Sequence, residues 1–232
     1  MGESAVYSIV DLAGKLTAGK PLSDQSTTLN PSRASGRPWL DLSFQLAGIF
    51  FGAVPAFLAI HLLGRHGGRN ADPVGLRTRR PGFDAASGAA LAALVGIPGL
   101  AFYFASRALG IDTSVIPEAL PAVWWTVPVL LLSALENALV EEVVVVGYLM
   151  TRLREIEWPL PVVVMASALL RGSYHLYQGF GGFIGNLIMG IAFALFFVRF
   201  KRVGPLIVAH AILDCVAFVG YAALKDHLPF LR

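Results

Sequence analysis

Glu136-Asn137-Ala138-Leu139-Val140-Glu141-Glu142-Val143-Val144-Val145-Val146-Gly147-Tyr148-Leu149 sets two glutamates side by side inside a run of aliphatic residues. The apolar run around them extends over about 122–150, and roughly 20 such residues are enough to cross the ~30 Å hydrocarbon core of a bilayer. At the centre of such a helix an ionisable side chain costs about 2.5–3.5 kcal/mol. A chain that keeps Glu141 and Glu142 there is expected to use them. Neighbouring helical residues point roughly 100° apart, so both carboxylates can border one cavity without sharing a direction. Asn137 lies one turn before Glu141 on the same face and is expected to hydrogen-bond it. Carboxylates this close share their protons as a pair, and such a pair can take a proton from water and return it to a leaving amine. The competing reading is structural, with protonated glutamates bonding one helix to the next.

The rest of the chain fits a membrane setting. Of 232 residues, 56% are hydrophobic and 14% charged, with a mean hydropathy of +0.66. A soluble domain carries about 25% charged residues. The fold class expected is all-α, a polytopic transmembrane helix bundle of about six spans. The spans fall near 40–64, 84–107, 122–150, 159–178, 182–200 and 204–224. Residues 1–38 read as a polar, mobile N-terminal tail with a short amphipathic piece at 6–16, and 39–232 as the integral-membrane helical domain. The N-terminus lacks the basic region and compact apolar run of a signal peptide. Cys215, the single cysteine, offers neither an internal disulfide nor a CxxC metal framework.

The net charge of +3 does not indicate nucleic acid, because the cations sit in short loops between apolar runs. Arg65, Arg69, Arg77, Arg79 and Arg80 occupy the first loop, Arg152 and Arg154 the third, and Arg199, Lys201 and Arg202 the fifth. The second loop, 110–121, has Asp112 and Glu118 but no cation, and the fourth, 178–182, is uncharged. The positive-inside rule therefore puts the basic loops in the cytoplasm and both termini outside, with Arg33 and Arg37 of the tail pulling the other way. Gly181 and Gly185, like Asn186 and Gly190, are four residues apart and mark a face of the fifth span that a neighbour can approach closely. No internal repeat of the transporter kind is evident.

Two other spans carry matched polar pairs. Arg171 and His175 are four residues apart in the fourth, and His210 and Asp214 four apart in the sixth. A buried arginine needs a carboxylate, and the third span offers two. Each pair alone is equally compatible with helix packing. Together they predict polar residues of spans three, four and six meeting in a central cavity.

At these residues the chain resembles the CPBP family, the CAAX proteases and bacteriocin-processing enzymes also called the Abi family. The family pattern is Glu-Glu with arginine four residues after the second glutamate, then Phe-x-x-x-His, then His-x-x-x-Asn or Asp. Glu141-Glu142, with Gly147-Tyr148-Leu149 after it, matches the first motif. His175 matches the histidine of the second, and His210 with Asp214 the third. The similarity covers about 120–222. Two positions depart from it: Val146 stands at the arginine position and Arg171 at the phenylalanine position. Two readings of the exchange are open: it is compensatory, Arg171 bringing the missing cation to Glu142 from the neighbouring helix, or it marks loss of catalysis, with Arg171 neutralising a relic glutamate.

The resemblance implies a glutamate-dependent intramembrane endopeptidase. Glu141 with His175 would activate water, His210 and Asp214 would stabilise the oxyanion, and Glu142 would position groups or pair with Arg171. An ionised aspartate only accepts hydrogen bonds, so Asp214 must be protonated or must orient His210. No cofactor is expected; zinc, which Glu and His can bind, is the less favoured option because there is no HExxH and the candidate ligands lie on three helices. The expected partners are a peptide or lipidated protein substrate and membrane lipids, with no nucleic acid. The expected location is a bacterial plasma membrane, with the active-site cavity facing the cytoplasm. Other classes are a catalytically inactive family member acting as a peptide-binding or adaptor protein, and a proton-coupled transporter.

Overall fold

The computed structural model describes residues 1–66, 72, 74–76 and 80–224. Its elements, in chain order, are α1 (Gly2–Leu16), β1 (Ser26–Thr28), α2 (Pro38–His66), α3 (Pro81–Ala108), β2 (Ser114–Ile116) and α4 (Thr126–Val140). A π-helical segment (Glu141–Tyr148) follows, then α5 (Leu149–Glu155), α6 (Leu160–Ser173), α7 (Phe180–Phe200) and α8 (Gly204–Leu224). The all-α reading holds. Proline opens α2 and lies in the first turn of α3 and α6, where a missing N–H costs nothing.

Among the described residues, four helices are long and apolar enough to cross a membrane unaided: α2, α3, α7 and α8. The third expected span is present as a continuous rod over 126–155, formed by α4, the π segment and α5. The fourth is shorter than expected. α6 has 14 residues, about 21 Å at 1.5 Å per residue, well under the ~30 Å of a hydrocarbon core. It stops because the His175 N–H turns back to the Gly172 carbonyl, and a 3-10 turn (Leu176–Gln178) with Gly179 at φ 122° leads into α7. His175 therefore sits just beyond the helix on whose face it was expected.

The bundle is built by α3 against α8, α6 against α7, and α4 against α8 and α2. Small residues set the closest approaches. A Cβ on Gly88 would run into Val208 and the Pro205 carbonyl, and one on Gly96 into Leu213, so α3 and α8 pack almost backbone to backbone. The expected glycine face of α7 also packs, Gly190 against Ala168 and Gly181 against Ser106. Polarity is inverted relative to a water-soluble protein. Phe51 and Ile97 are 69% and 73% exposed on the outside, while Glu142 and Arg171 are wholly buried inside.

The basic loops gather at one end. Arg202 forms a bidentate pair with Asp84 (2.8 and 2.7 Å), and Arg152 donates to the Leu62 carbonyl at 2.7 Å. Arg69, Arg77 and Arg79 lie outside the described residues.

At the opposite end, 1–38 departs from the mobile tail expected. α1, which covers the amphipathic piece, docks through Ser8 Oγ–H to the Tyr174 carbonyl (2.8 Å), and Lys15 donates to the Tyr177 carbonyl (2.5 Å). β1 pairs in parallel with β2 in the second loop, with Thr27 opposite Val115. The hydroxyls that made this stretch look disordered are its attachment points.

Candidate active site

The paired glutamates open the π segment. Its four consecutive valines, 143–146, are β-branched and fit a tight α-turn less well than straight chains. The backbone takes the wider i→i+5 turn, a form frequent at functional sites. Ser167 Oγ–H, from α6, donates to the Val145 carbonyl at 2.9 Å and ties the segment to its neighbour.

Arg171 reaches from α6 into the glutamate pair. Its Nη2 donates to Glu142 Oε1 at 2.5 Å, and its Nη1 lies 3.4 Å from Glu141 Oε2. The cation thus meets Glu142 as expected and touches Glu141 as well. Phe193 lies beneath the guanidinium, 5.4 Å from ring centroid to Cζ. Gly190 makes the space: a Cβ there would stand 3.2 Å from the Arg171 Cδ. Val146, at the family's arginine position, is wholly buried in an apolar cluster with Val163, Phe193, Val203 and Leu206.

α8 supplies the third wall. The His210 Nδ1–H donates to Glu142 Oε1 at 2.7 Å, so that one carboxylate oxygen accepts from both the guanidinium and the imidazole. His210 Nε2 stands 3.7 Å from Asp214 Oδ1, beyond hydrogen-bond distance. His210 is therefore oriented by Glu142 rather than by Asp214. Asn137 donates to Asp214 Oδ2 at 3.2 Å, which corrects its expected bond to Glu141. A residue on α8 takes the amide before its own helical neighbour can.

His175 is held from behind. Its Nδ1–H donates to the Arg171 carbonyl at 2.9 Å, which leaves Nε2 as the free lone-pair nitrogen. The sequence reading missed its neighbour Tyr174, whose hydroxyl donates to Glu141 Oε2 at 2.8 Å and whose ring lies 4.8 Å from the imidazole. The signal was adjacency: Tyr174 immediately precedes a candidate histidine at a helix end. Glu136 was also left unassigned; its carboxylate lies against Gly52 of α2.

If this hydroxyl fixes the carboxylate, Tyr174→Phe should lower kcat roughly 10- to 100-fold with little change in KM, since a hydrogen bond to a charged group is worth about 1.5–3 kcal/mol. Steady-state kinetics on a cleavable peptide checks this; an unchanged kcat would remove Tyr174 from the site.

Tyr174 also walls a cleft of about 590 Å³ shared with α1, β1 and Tyr177. This cleft is at the end away from the basic loops. The short α6 brings Tyr174 and His175 back towards the carboxylates.

Helices from three parts of the chain thus define an integral membrane protein with a buried carboxylate, histidine and arginine centre. Residues 123–216 match the family model described as type II CAAX prenyl endopeptidase, Rce1-like. This segment, under half of the chain, holds every candidate site residue from Asn137 to Asp214, and its match is to the CPBP family of CAAX-type proteases. No curated protein and no solved structure matches the chain.

Glu141, Glu142 and His210 each bring a ligand atom within 4.8 Å of the others, a spacing that a metal ion can bridge. The same carboxylates already face the Arg171 cation, however, so a dication bound there would sit against a fixed positive charge.

Proposed function

We propose that the protein hydrolyses a peptide bond in a membrane-associated or lipidated peptide, using Glu141 to activate water without a metal. The observation that carries this reading is the division of labour between the two glutamates. Glu142 Oε1 is committed to Arg171 and His210, whereas among the described residues Glu141 is held through Oε2 alone, by Tyr174 and more distantly by Arg171. Glu141 Oε1 is left to receive a proton from water, shared with the free Nε2 of His175. The water oxygen bonds to the peptide carbonyl carbon. As the C–N bond breaks, the proton held by Glu141 passes to the amine nitrogen and the carboxylate is restored.

Negative charge develops on the carbonyl oxygen, and His210 Nε2–H is the donor that meets it. With Nδ1–H given to Glu142, protonation at Nε2 makes an imidazolium flanked by Glu142 and by Asp214, 3.7 Å away. This supports the second of the two roles open to Asp214, that of an acceptor beside the histidine. Buried Glu142 Oε2 and Arg171 Nε have no hydrogen-bond partner among the described residues. Unsatisfied groups of this kind favour a site that takes up water.

Purified protein offered a library of lipidated peptides should release cleavage products at an undiminished rate after exhaustive chelation. Activity that disappears with the chelator and returns with zinc would overturn the metal-free mechanism. Peptide binding without cleavage would favour an adaptor, and uptake into proteoliposomes without cleavage a transporter.

A further inference from the structure

α1 has three flanks with three different surroundings. Ala5, Ser8 and Leu12 face the bundle. Val6, Ile9, Val10 and Leu16 form an outward apolar stripe, 53–62% exposed, which fits a helix lying against lipid. Ser4, Tyr7, Asp11 and Lys15 line the cleft of about 590 Å³, a volume within the usual range of binding sites. The cleft is therefore a trough lined by polar residues, with α1 as one wall.

Its facing wall is β1, and β1 is half used. The Ser114 N–H donates to the Gln25 carbonyl at 2.8 Å, and the Leu29 N–H to the Ile116 carbonyl at 3.0 Å. Alternation along a strand then turns the N–H and C=O groups of Ser26 and Thr28 to the other edge. Among the described residues β1 pairs with β2 alone, and an open edge of this kind is a template for another extended chain. Lys15 holds the trough to a fixed width, donating to Asp11 (2.6 Å), Thr27 (2.9 Å) and the Tyr177 carbonyl (2.5 Å). Its charge is thereby matched within the wall. The end wall is Tyr174, the residue whose hydroxyl bonds Glu141.

We propose that this cleft binds an extended stretch of the substrate polypeptide, which adds as a strand to the free edge of β1 and leads into the glutamate site past Tyr174. The proposal rests on the endopeptidase reading. Recognition through backbone groups beside a charge-compensated wall selects for an extended chain rather than for a side-chain sequence.

Thr28→Pro tests it, because it deletes a free-edge N–H while leaving every β1–β2 bond in place. The probe is a fluorescein-labelled peptide bearing a farnesylated cysteine, prepared with a long polar segment before that cysteine or with the segment trimmed. Binding to the full-length protein in nanodiscs is read by anisotropy, and cleavage is read separately. The long peptide should bind more tightly than the trimmed one, and Thr28→Pro should erase that advantage, about tenfold. Equal binding of the two peptides to the wild type, or an advantage that survives Thr28→Pro, would overturn the proposal.

Should Thr28→Pro fail to fold, Thr28→Cys in a Cys215→Ala background serves instead. It should form a disulfide with a cysteine placed in the long segment; no disulfide would count against the site. If the wild type binds the long peptide with its advantage but cleaves neither, the endopeptidase reading fails and the strand site stands. Cleavage with no advantage for the long peptide is the reverse outcome.

Discussion

Glu141→Gln is expected to lower turnover roughly a hundred- to ten-thousand-fold, the range that a positioned general base contributes. The substitution keeps the shape of the side chain and retains an oxygen that can accept from the Tyr174 hydroxyl, now 2.8 Å from Glu141 Oε2. Arg171 keeps its main partner, Glu142, so the fold should survive. What is lost is the basic oxygen that receives the proton of water. Peptide binding should be little changed, so the loss should lie in kcat, measured on purified protein with a labelled lipidated peptide. A glutamine variant that turns over like the wild type would remove Glu141 from the role of base.

Arg171→Leu carries the second large effect, and it falls on stability first. Both partners of the Arg171–Glu142 pair are wholly buried, and the guanidinium also lies 3.4 Å from Glu141. Removing one member of such a pair leaves an uncompensated charge in a low-dielectric interior and costs about 3–5 kcal/mol. The variant should unfold at lower denaturant or temperature than the wild type and lose activity. Arg171→Leu combined with Glu142→Gln should be more stable than Arg171→Leu alone, because the stranded charge is gone. That coupling is measurable as a double-mutant cycle in detergent. If Arg171→Leu folds and cleaves normally while Glu142→Gln is inactive, the two residues are uncoupled.

The long apolar helices were legible because a bilayer demands continuous hydrophobic runs, and α2, α3, α7 and α8 supply them. The contact between Arg171 and the glutamates was legible for a related reason: a buried cation needs an anion, and the third span held the candidates. Local periodicity failed where a tertiary partner intervened. Asn137 shares a helix face with Glu141, yet its amide goes to Asp214 on α8. α6 could not be ended correctly from its apolar pattern, since its stop depends on how Tyr174 and His175 fold back onto the site. The first 38 residues were the largest misreading. Their Ser and Thr groups look solvent-directed in sequence, but Ser8 bonds Tyr174 and Thr27 bonds Thr113, partners 166 and 86 residues away.

The π segment also gives the rod slack. Its i→i+5 turn holds more residues than an α-turn and advances less per residue, so the lag built up along Glu141–Tyr148 takes in an extra residue while α4 and α5 keep their headings. Deleting one of the four valines at 143–146 should draw the segment towards ordinary α-helix and leave the glutamates and Arg152 facing nearly as they do now. A deletion inside α5, before Arg152, meets no such slack: at roughly 100° per residue it would turn Arg152 away from the Leu62 carbonyl, now 2.7 Å off. The valine run thus tolerates a change of length that the helix after it does not.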